Sequence, residues 1–558
     1  MSLPTSGGDP PQPCAHRAGP SVPVTGTLVR GDYQRHAGPS APPPPRVRRR
    51  LRAGPLTPIG PTLSDVLHNS VSTHHPTPGE VTTMNPLVLR SSIVAAVGGL
   101  IFGFDTAVIS GAQRGIIAHF GITETRYGFV VATALIGTII GAVIAGRPAD
   151  RYGRKRVLVW IGFLFLAGSL LTAISPNLWL LMAFRLLGGV GVGMASVLSP
   201  IYTAEIAPPS KRGRLVGLVQ LSVVIGILTA YLSNVVVLKL VPAIVSGDPT
   251  TVEWRYMLAA MAIPTLIFLA LLPTICETPR WLIGQGRIAE GEAVAQRLTG
   301  DEEEAATMVA EVRAQIEQDR ALNATKAPFF VRQNRKVILL AIAIAAFNQL
   351  SGINAVLYYA PEIFRLAGFD TTASFLQSAG IGLVNLVATV AAVSIIDRVG
   401  RRRLMLIGTV GYLVSLGTLA VLFLTVIKSN NADGSTGSPG GASYLVLAAL
   451  ALFIASHAFG EGSVIWVFLS EIFPSRIRAR GQSLGSLTHW TAAAIITWLF
   501  PGVVARIGPA AGFGFFFVCM VGLLFWVILV MPETKGVALE DMDEYLGLEE
   551  PKTASASR

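Results

Sequence analysis

Twelve apolar runs divide most of this 558-residue chain, each close to the ~20 residues that cross a ~30 Å hydrocarbon core. They begin near Leu87, Tyr127, Val157, Leu178, Leu215 and Tyr256, then near Val337, Phe375, Leu404, Tyr444, Ser483 and Gly512. Inside a bilayer the backbone must satisfy its own N–H and C=O groups, so segments of this length fold as helices. The chain is therefore predicted to be an all-α membrane protein. Its composition excludes a soluble globular domain, with 51% hydrophobic residues, 14% charged residues and a mean hydropathy of +0.56.

The formal charge of +11 does not point to nucleic acid, because the basic residues cluster at the ends of apolar runs. Arg147, Arg151, Arg154, Lys155 and Arg156 follow the second run, and Lys211, Arg212 and Arg214 follow the fourth. Arg398 and Arg401 to Arg403 follow the eighth, and Arg476, Arg478 and Arg480 follow the tenth. If the runs alternate across the bilayer, all four loops share one side, which the positive-inside rule makes cytoplasmic. Both termini are then expected inside a cell membrane crossed many times, with lipid as the surrounding partner. Cys14, Cys276 and Cys519 are too few and scattered for a disulfide framework or metal cluster.

Five regions follow. Residues 1–83 are rich in Pro, Gly, Ser and Thr, carry a basic patch from Arg46 to Arg52, and lack a signal-peptide pattern, so disorder is expected. Met84 directly precedes the first run, so either translation starts there or the extension is a regulatory or lipid-binding tail. Residues 84–276 and 337–531 hold six runs each. Between them, 277–336 is a polar linker with helical periodicity over Ile288 to Leu298 and an acidic helix start at Asp301 to Glu304. Residues 532–558 form a second cytoplasmic tail. The acceptor pattern Asn323-Ala324-Thr325 falls in the cytoplasmic linker and is read as a chance match, while Lys428 to Ala442 should be a flexible external connection.

The two halves repeat one another. DRYGRKR at Asp150 to Arg156 recurs as DRVGRRR at Asp397 to Arg403, EIAP at Glu205 as EIFP at Glu471, and ETPR at Glu277 as PETK at Glu533. Each pair is separated by roughly 250 residues, the signature of a duplicated membrane unit and hence of a transporter. Acidic and basic members recur together, so Asp150 with Arg154, Glu205 with Arg212, and the counterparts Asp397, Arg401, Glu471 and Arg478 are expected to form ion-pair networks closing a cytoplasmic gate. Exposed pairs of this kind contribute only ~0–1 kcal/mol each, weak enough to break in every cycle. The alternative is that they serve topology alone.

Charge within the runs is rare and costly, from ~2.5 to over 10 kcal/mol at mid-bilayer. Asp105, in GGLIFGFDTAVISG, and Arg185, in FRLLGGVGVG, both fall roughly 10–12 Å below the external ends Ala112 and Asn177 at 1.5 Å rise per residue. Equal depth permits a pair. A carboxylate beside an arginine releases its proton, and one parted from it in an apolar setting holds it, so helix movement would change proton affinity. That is the requirement for coupling to a proton gradient; the alternative is a static bridge between runs one and four. Glu461, between Gly460 and Gly462, and His489, beside Trp490, are further polar groups able to bind substrate or proton, or to bond freed backbone.

Run seven reads FNQLSGINAVLYYAP, so Asn348, Gln349 and Asn354 interrupt an apolar helix. Amides carry donors and acceptors without net charge, which suits the hydroxyls of a neutral carbohydrate. Gly352 permits a break, and Tyr358 and Tyr359 can close the external side. Asn385 and Gln220 add amides, and Trp466 and Trp490 offer flat faces for a sugar ring. The plain alternative is hydrogen bonding between helices.

Together these segments, with PIYTAEIAPPSKRGR, ETPRWL, SEIFPSRIRARG and PETKG, make the chain from Leu87 to Tyr545 resemble the sugar porters of the major facilitator superfamily. That family includes proton-coupled xylose and glucose symporters and passive glucose facilitators. The resemblance implies two six-helix bundles around a central cavity that opens alternately to each side. It implies substrate contacts at Gln220, Asn348, Gln349, Asn354, Asn385, Trp466 and Trp490, and a proton-coupling role for Asp105, where the facilitators carry asparagine. The chain departs from the pattern at Asn348, where the family has a second glutamine, at Met261, where xylose symporters have glutamate, and at Glu461 to Ser463 before Trp466.

The expectation is a proton-coupled importer of a monosaccharide, a hexose before a pentose or polyol, acting as a monomer. It needs no cofactor beyond the proton as coupling ion. A passive facilitator or a non-transporting sugar receptor are the alternatives. No phosphate loop supports an ATP-driven pump, and no nucleophile with an orienting base or metal-ligand spacing supports an enzyme.

Overall fold

The computed structural model describes residues 84–245, 248–324, 328–432, 440–474, 476–537 and 542–548, all within the compact unit Thr82–Arg558. The N-terminal extension with its basic patch, Thr325 of the acceptor pattern, and the end of the C-terminal tail lie outside the described residues. Twelve helical segments are long and apolar enough to cross a membrane, and each begins within a few residues of the start read from the sequence. Spans 1 to 6 are Pro86–Phe120, Glu124–Ile144, Arg154–Ala173, Leu178–Ile206, Pro209–Ile244 and Glu253–Thr274. Spans 7 to 12 are Arg332–Leu366, Thr371–Val399, Arg401–Thr425, Gly441–Glu471, Arg478–Ile507 and Pro509–Leu529. The side carrying the repeated basic loops is termed the basic end here, and the opposite side the far end.

Two boundaries differ from expectation. The helix of span 1 runs past Ala112 to Phe120, carrying Arg114 and His119 beyond the apolar run, because nothing in AQRGIIAHF breaks a helix until Gly121 turns left-handed at φ 59°. The helix that starts at Arg401 continues to Ala432, so the connection expected over 428–442 is helical at its start, and 433–439 lie outside the described residues.

Small residues let spans 2 and 4 touch backbone to backbone. A Cβ on Gly137 would stand 2.2 Å from the Leu186 carbonyl oxygen, and one on Gly189 2.0 Å from that of Ala134. In lipid, where apolar side chains gain nothing by leaving solvent, such close packing is a main source of helix association. Contacts between the two halves run from mid-depth to the far end: Phe102 meets Trp490, Phe129 meets Trp498, Tyr231 donates to the Leu357 carbonyl at 2.6 Å, and Arg114 pairs with Glu362 at 3.3 Å.

Span 6 is interrupted only at Met261, which keeps helical angles, whereas two spans of the second half break sharply. In span 7 the helix Arg335–Leu350 ends and Ile353–Leu366 begins across Ser351 and Gly352, whose φ of 89° is left-handed. In span 10, Gly441–Phe459 gives way to Glu461–Glu471 at Gly460, with ψ −103°. The linker forms three helices, Pro279–Gly284, Ile288–Thr299 and Glu302–Ala324, packed on a small core of Ile283, Ala295, Ala305, Val309 and Val312. Asp301 caps the third by accepting from the Glu303 and Glu304 amides at 2.9 Å.

Candidate functional site

Asp105 and Arg185 meet in the first half. Arg185 Nη1 donates to Asp105 Oδ1 at 2.7 Å, with the residues 4% and 8% exposed. Span 1 lies close enough to span 4 for this bond because Gly98 leaves room for Ser199 and Ala195. Nε and Nη2 of Arg185 have no hydrogen-bond partner among the described residues, so the cation rests on a single bond. A buried pair held this sparingly has little beyond mutual attraction to offset desolvation. Met261, Ser169 and Thr172 line a small cleft beside it.

The amides of span 7 form one connected group at the helix break. Gln349 Nε2 donates to Asn348 Oδ1 at 2.9 Å, and Asn354 Nδ2 donates to Gln349 Oε1 at 2.8 Å. The same Gln349 nitrogen stands 3.2 Å from His489 Nε2, and the His489 ring packs edge-on against Trp490 and tilted against Trp466. Trp466, five residues before the end of span 10, is 37% exposed, so its face is available. The break supplies the donors and acceptors: Ser351 Oγ donates to the Asn348 carbonyl at 2.6 Å, and the left-handed Gly352 turns Asn354 back toward Gln349. Tyr358 and Tyr359 are buried above this group, with Tyr359 donating to the Thr497 carbonyl at 2.9 Å and packing near Phe500.

Other expected site residues stand apart. Gln220 is exposed on span 5 with no hydrogen-bond partner among the described residues, and Asn385, 6% exposed, meets Thr389 at 3.5 Å. No hydrogen bond joins either to the span 7 group. Glu461 is buried at the span 10 break against Tyr412. Phe102, which crosses from span 1 to Trp490, was not legible as a site residue, since a phenylalanine in an apolar run carries no signal of its neighbour.

At the basic end the repeated motifs fold into two matching clusters, with the expected Asp150–Arg154 and Asp397–Arg401 pairs but different partners for Glu205 and Glu471. Arg154 binds Glu205 through two bonds of 3.0 Å and also meets Asp150 at 3.1 Å; Arg401 binds Glu471 at 2.8 Å and Asp397 at 3.2 Å. Arg212 and Arg478 do not take the glutamates: Arg478 Nε donates to the Phe473 carbonyl, and Arg212 Nε has no partner among the described residues. Arg154 and Arg401 win because each begins a span directly opposite the glutamate. Nor are these pairs all exposed, since the Glu205 and Glu471 side chains are 6% and 18% accessible, against 74% and 85% for Asp150 and Asp397.

The third motif pair completes the clusters. Glu277 accepts from the Arg154, Lys155 and Thr278 amides, and Glu533 from the Arg401 and Arg402 amides, so each carboxylate sits on the N-terminus of a span. Burial pushes the Glu277 carboxyl pKa up, and the amides pull it partway back. Thr278 and Thr534 donate to Glu205 and Glu471 at 2.7 and 2.5 Å. The recurrence of ETPR and PETK was the signal for these four residues.

The profile of the family described as "Sugar (and other) transporter" matches residues 91–546. The chain belongs to this family. It is a multi-pass membrane transporter and not an enzyme. It is 34% identical over 501 residues to the D-xylose-proton symporter of Escherichia coli K12, covering 84% of this chain and 96% of that one. It is 33% identical over 462 residues to the arabinose-proton symporter of Bacillus subtilis, covering 82% and 94%. Among solved structures, the E. coli xylose transporter XylE in a partially occluded inward-open conformation superposes with a TM-score of 0.69 at 31% identity, over 81% of this chain and 99% of that one. The twelve-helix fold is thus the major facilitator fold.

Proposed function

We infer that this transporter carries a monosaccharide, hexose or pentose, into the cell together with a proton, by alternating access as a single chain. The observation that carries the reading is the lone 2.7 Å bond between Asp105 and Arg185, buried at mid-span with no other hydrogen bond to the guanidinium among the described residues. Parting the two lets Asp105 board a proton; rejoining them releases it. The connected amides Asn348, Gln349 and Asn354, with His489, Trp466 and Trp490, hold the sugar, and Gln220 and Asn385 close on it from the neighbouring spans. The names of the two symporters above support both substrate class and coupling ion.

The halves meet at the far end, so the basic end is the side open for release, and the basic loops make that side cytoplasmic, with both termini there. The two motif clusters fasten each half internally, and the gate at this end closes when the halves bring them together.

Purified protein in proteoliposomes tests this. D-xylose, D-glucose and L-arabinose are offered with and without an imposed pH gradient. At least one should accumulate above its outside concentration only when the outside is acidic. Uptake that equilibrates without accumulating marks passive facilitation, and no flux for any sugar overturns the reading.

A further inference from the structure

Where span 10 breaks, the structure assembles ionisable side chains that the reading above does not use. The Tyr412 hydroxyl, on span 9, stands 2.6 Å from His457 Nδ1 and 3.2 Å from Glu461 Oε2. His457 and Glu461 flank the broken turn at Gly460. Glu461 is 1% exposed and Tyr412 fully buried, whereas His457 is half-buried. Glu461 Oε1 has no hydrogen-bond partner, and no cation pairs with the carboxyl, among the described residues.

The surroundings hold little other charge. Spans 7 and 8 pack on this segment, and their stretches 337–361 and 371–396 contain no acidic or basic side chain. On span 9, Tyr412 is the only ionisable side chain between 404 and 425; on span 11, His489 is the only one between 481 and 505, and it interacts electrostatically with His457. Ser351, the polar neighbour on span 7, has its proton committed to the Asn348 carbonyl.

Counting protons limits what this group can do. A tyrosine hydroxyl has one proton and two partners, so it donates to one and accepts from the other. In one arrangement His457 Nδ1–H donates to Tyr412, which donates to an ionised Glu461. In the other, a protonated Glu461 donates to Tyr412, which donates to His457 Nδ1, and the imidazole proton sits on Nε2. The second holds one proton more. Conversion is a relay: a proton bonds to His457 Nε2, the Nδ1 proton passes to Tyr412, and the Tyr412 proton passes to Glu461. One proton enters at the half-buried ring and one carboxyl O–H forms at the buried end, with no other change in bonds.

We propose that His457, Tyr412 and Glu461 form a proton relay in the second half, taking up a proton at His457 and storing it on Glu461, as a protonation site separate from Asp105. The site sits on the hinge of span 10, with Glu461 five residues before Trp466, and it neighbours the span 7 break at Ser351. Its proton occupancy therefore biases two hinges at once. The proposal goes beyond the coupling assigned to Asp105 and stands or falls independently of it.

Infrared difference spectroscopy of the full-length protein in lipid, titrated with acid alone, reads the site directly. A carboxylic-acid carbonyl band that appears on acidification should persist in Asp105→Asn and disappear in Glu461→Gln. Tyr412→Phe should keep that band and shift it, because the acceptor of the carboxyl O–H is lost. Histidine nitrogen resonances should show the His457 tautomer changing with the band in the wild type and no longer following it in Tyr412→Phe. If Glu461→Gln folds, as judged by an unchanged melting profile and sugar binding, and leaves every titrating band in place, the relay is refuted. If it does not fold, an unshifted band in Tyr412→Phe refutes it equally. Loss of proton-driven sugar accumulation in Asp105→Asn bears only on the earlier reading.

Discussion

The two halves are near copies at the basic end and unlike in the middle of the membrane. At the end, Asp150, Arg154, Glu205, Glu277 and Thr278 have one-for-one counterparts in Asp397, Arg401, Glu471, Glu533 and Thr534, down to a left-handed glycine, Gly153 or Gly400, that a Cβ would drive into the capping glutamate. In the middle, the first half keeps unbroken helices in spans 1 and 4 and a single ion pair, while the second breaks spans 7 and 10 and fills the gaps with amides, imidazoles and a carboxyl. Duplication preserved the fastenings and let the contents diverge. Charge transfer needs two helices that part, whereas polyol binding needs backbone opened to point amides inward.

The division of labour is best attacked at its largest difference. Asp105→Asn should abolish sugar accumulation driven by a pH gradient and leave counterflow exchange running; accumulation surviving in vesicles would return the pair to a structural role. Next, Gln349→Ala removes the amide that joins Asn348, Asn354 and His489, and should weaken sugar binding at least tenfold, about 1.4 kcal/mol, by calorimetry. An effect of the same order follows at the clusters: Glu205→Gln and Glu471→Gln should destabilise the fold by similar amounts, about 1–3 kcal/mol each, read as a lower melting temperature, since each leaves a mostly buried arginine with only its exposed aspartate. Unequal losses would break the symmetry argument. Least of all, Asp150→Asn and Asp397→Asn should each cost under about 1 kcal/mol, because both carboxylates face solvent.

Much of this was legible because bilayer physics is strict. The span count, the basic loops and the isolated charges Asp105 and Arg185 follow from the cost of polarity in hydrocarbon, which leaves few placements open. The partner of each motif residue was less so. Glu205 and Arg212 lie close in sequence and invite pairing, yet the start of span 3 puts Arg154 nearer, a fact of helix packing rather than of spacing. Likewise His457 and Glu461 are four residues apart, but Tyr412, which joins them, belongs to another span and sits in a run with no polar periodicity to mark it. Gln220 and Asn385 were read with the other amides from residue type and family resemblance, and no hydrogen bond carries them into the group.

The seam at the far end is closely packed at two glycines: a Cβ on Gly128 would lie 2.2 Å from the Trp498 carbonyl oxygen, and one on Gly502 2.4 Å from Thr125 Oγ1. Attraction between surfaces this close is dispersive and fades within about an ångström of separation. This part of the seam therefore behaves as a latch rather than a spring: it holds at full strength while shut and yields abruptly once rolled apart, leaving only the exposed Arg114–Glu362 pair to pull at longer range.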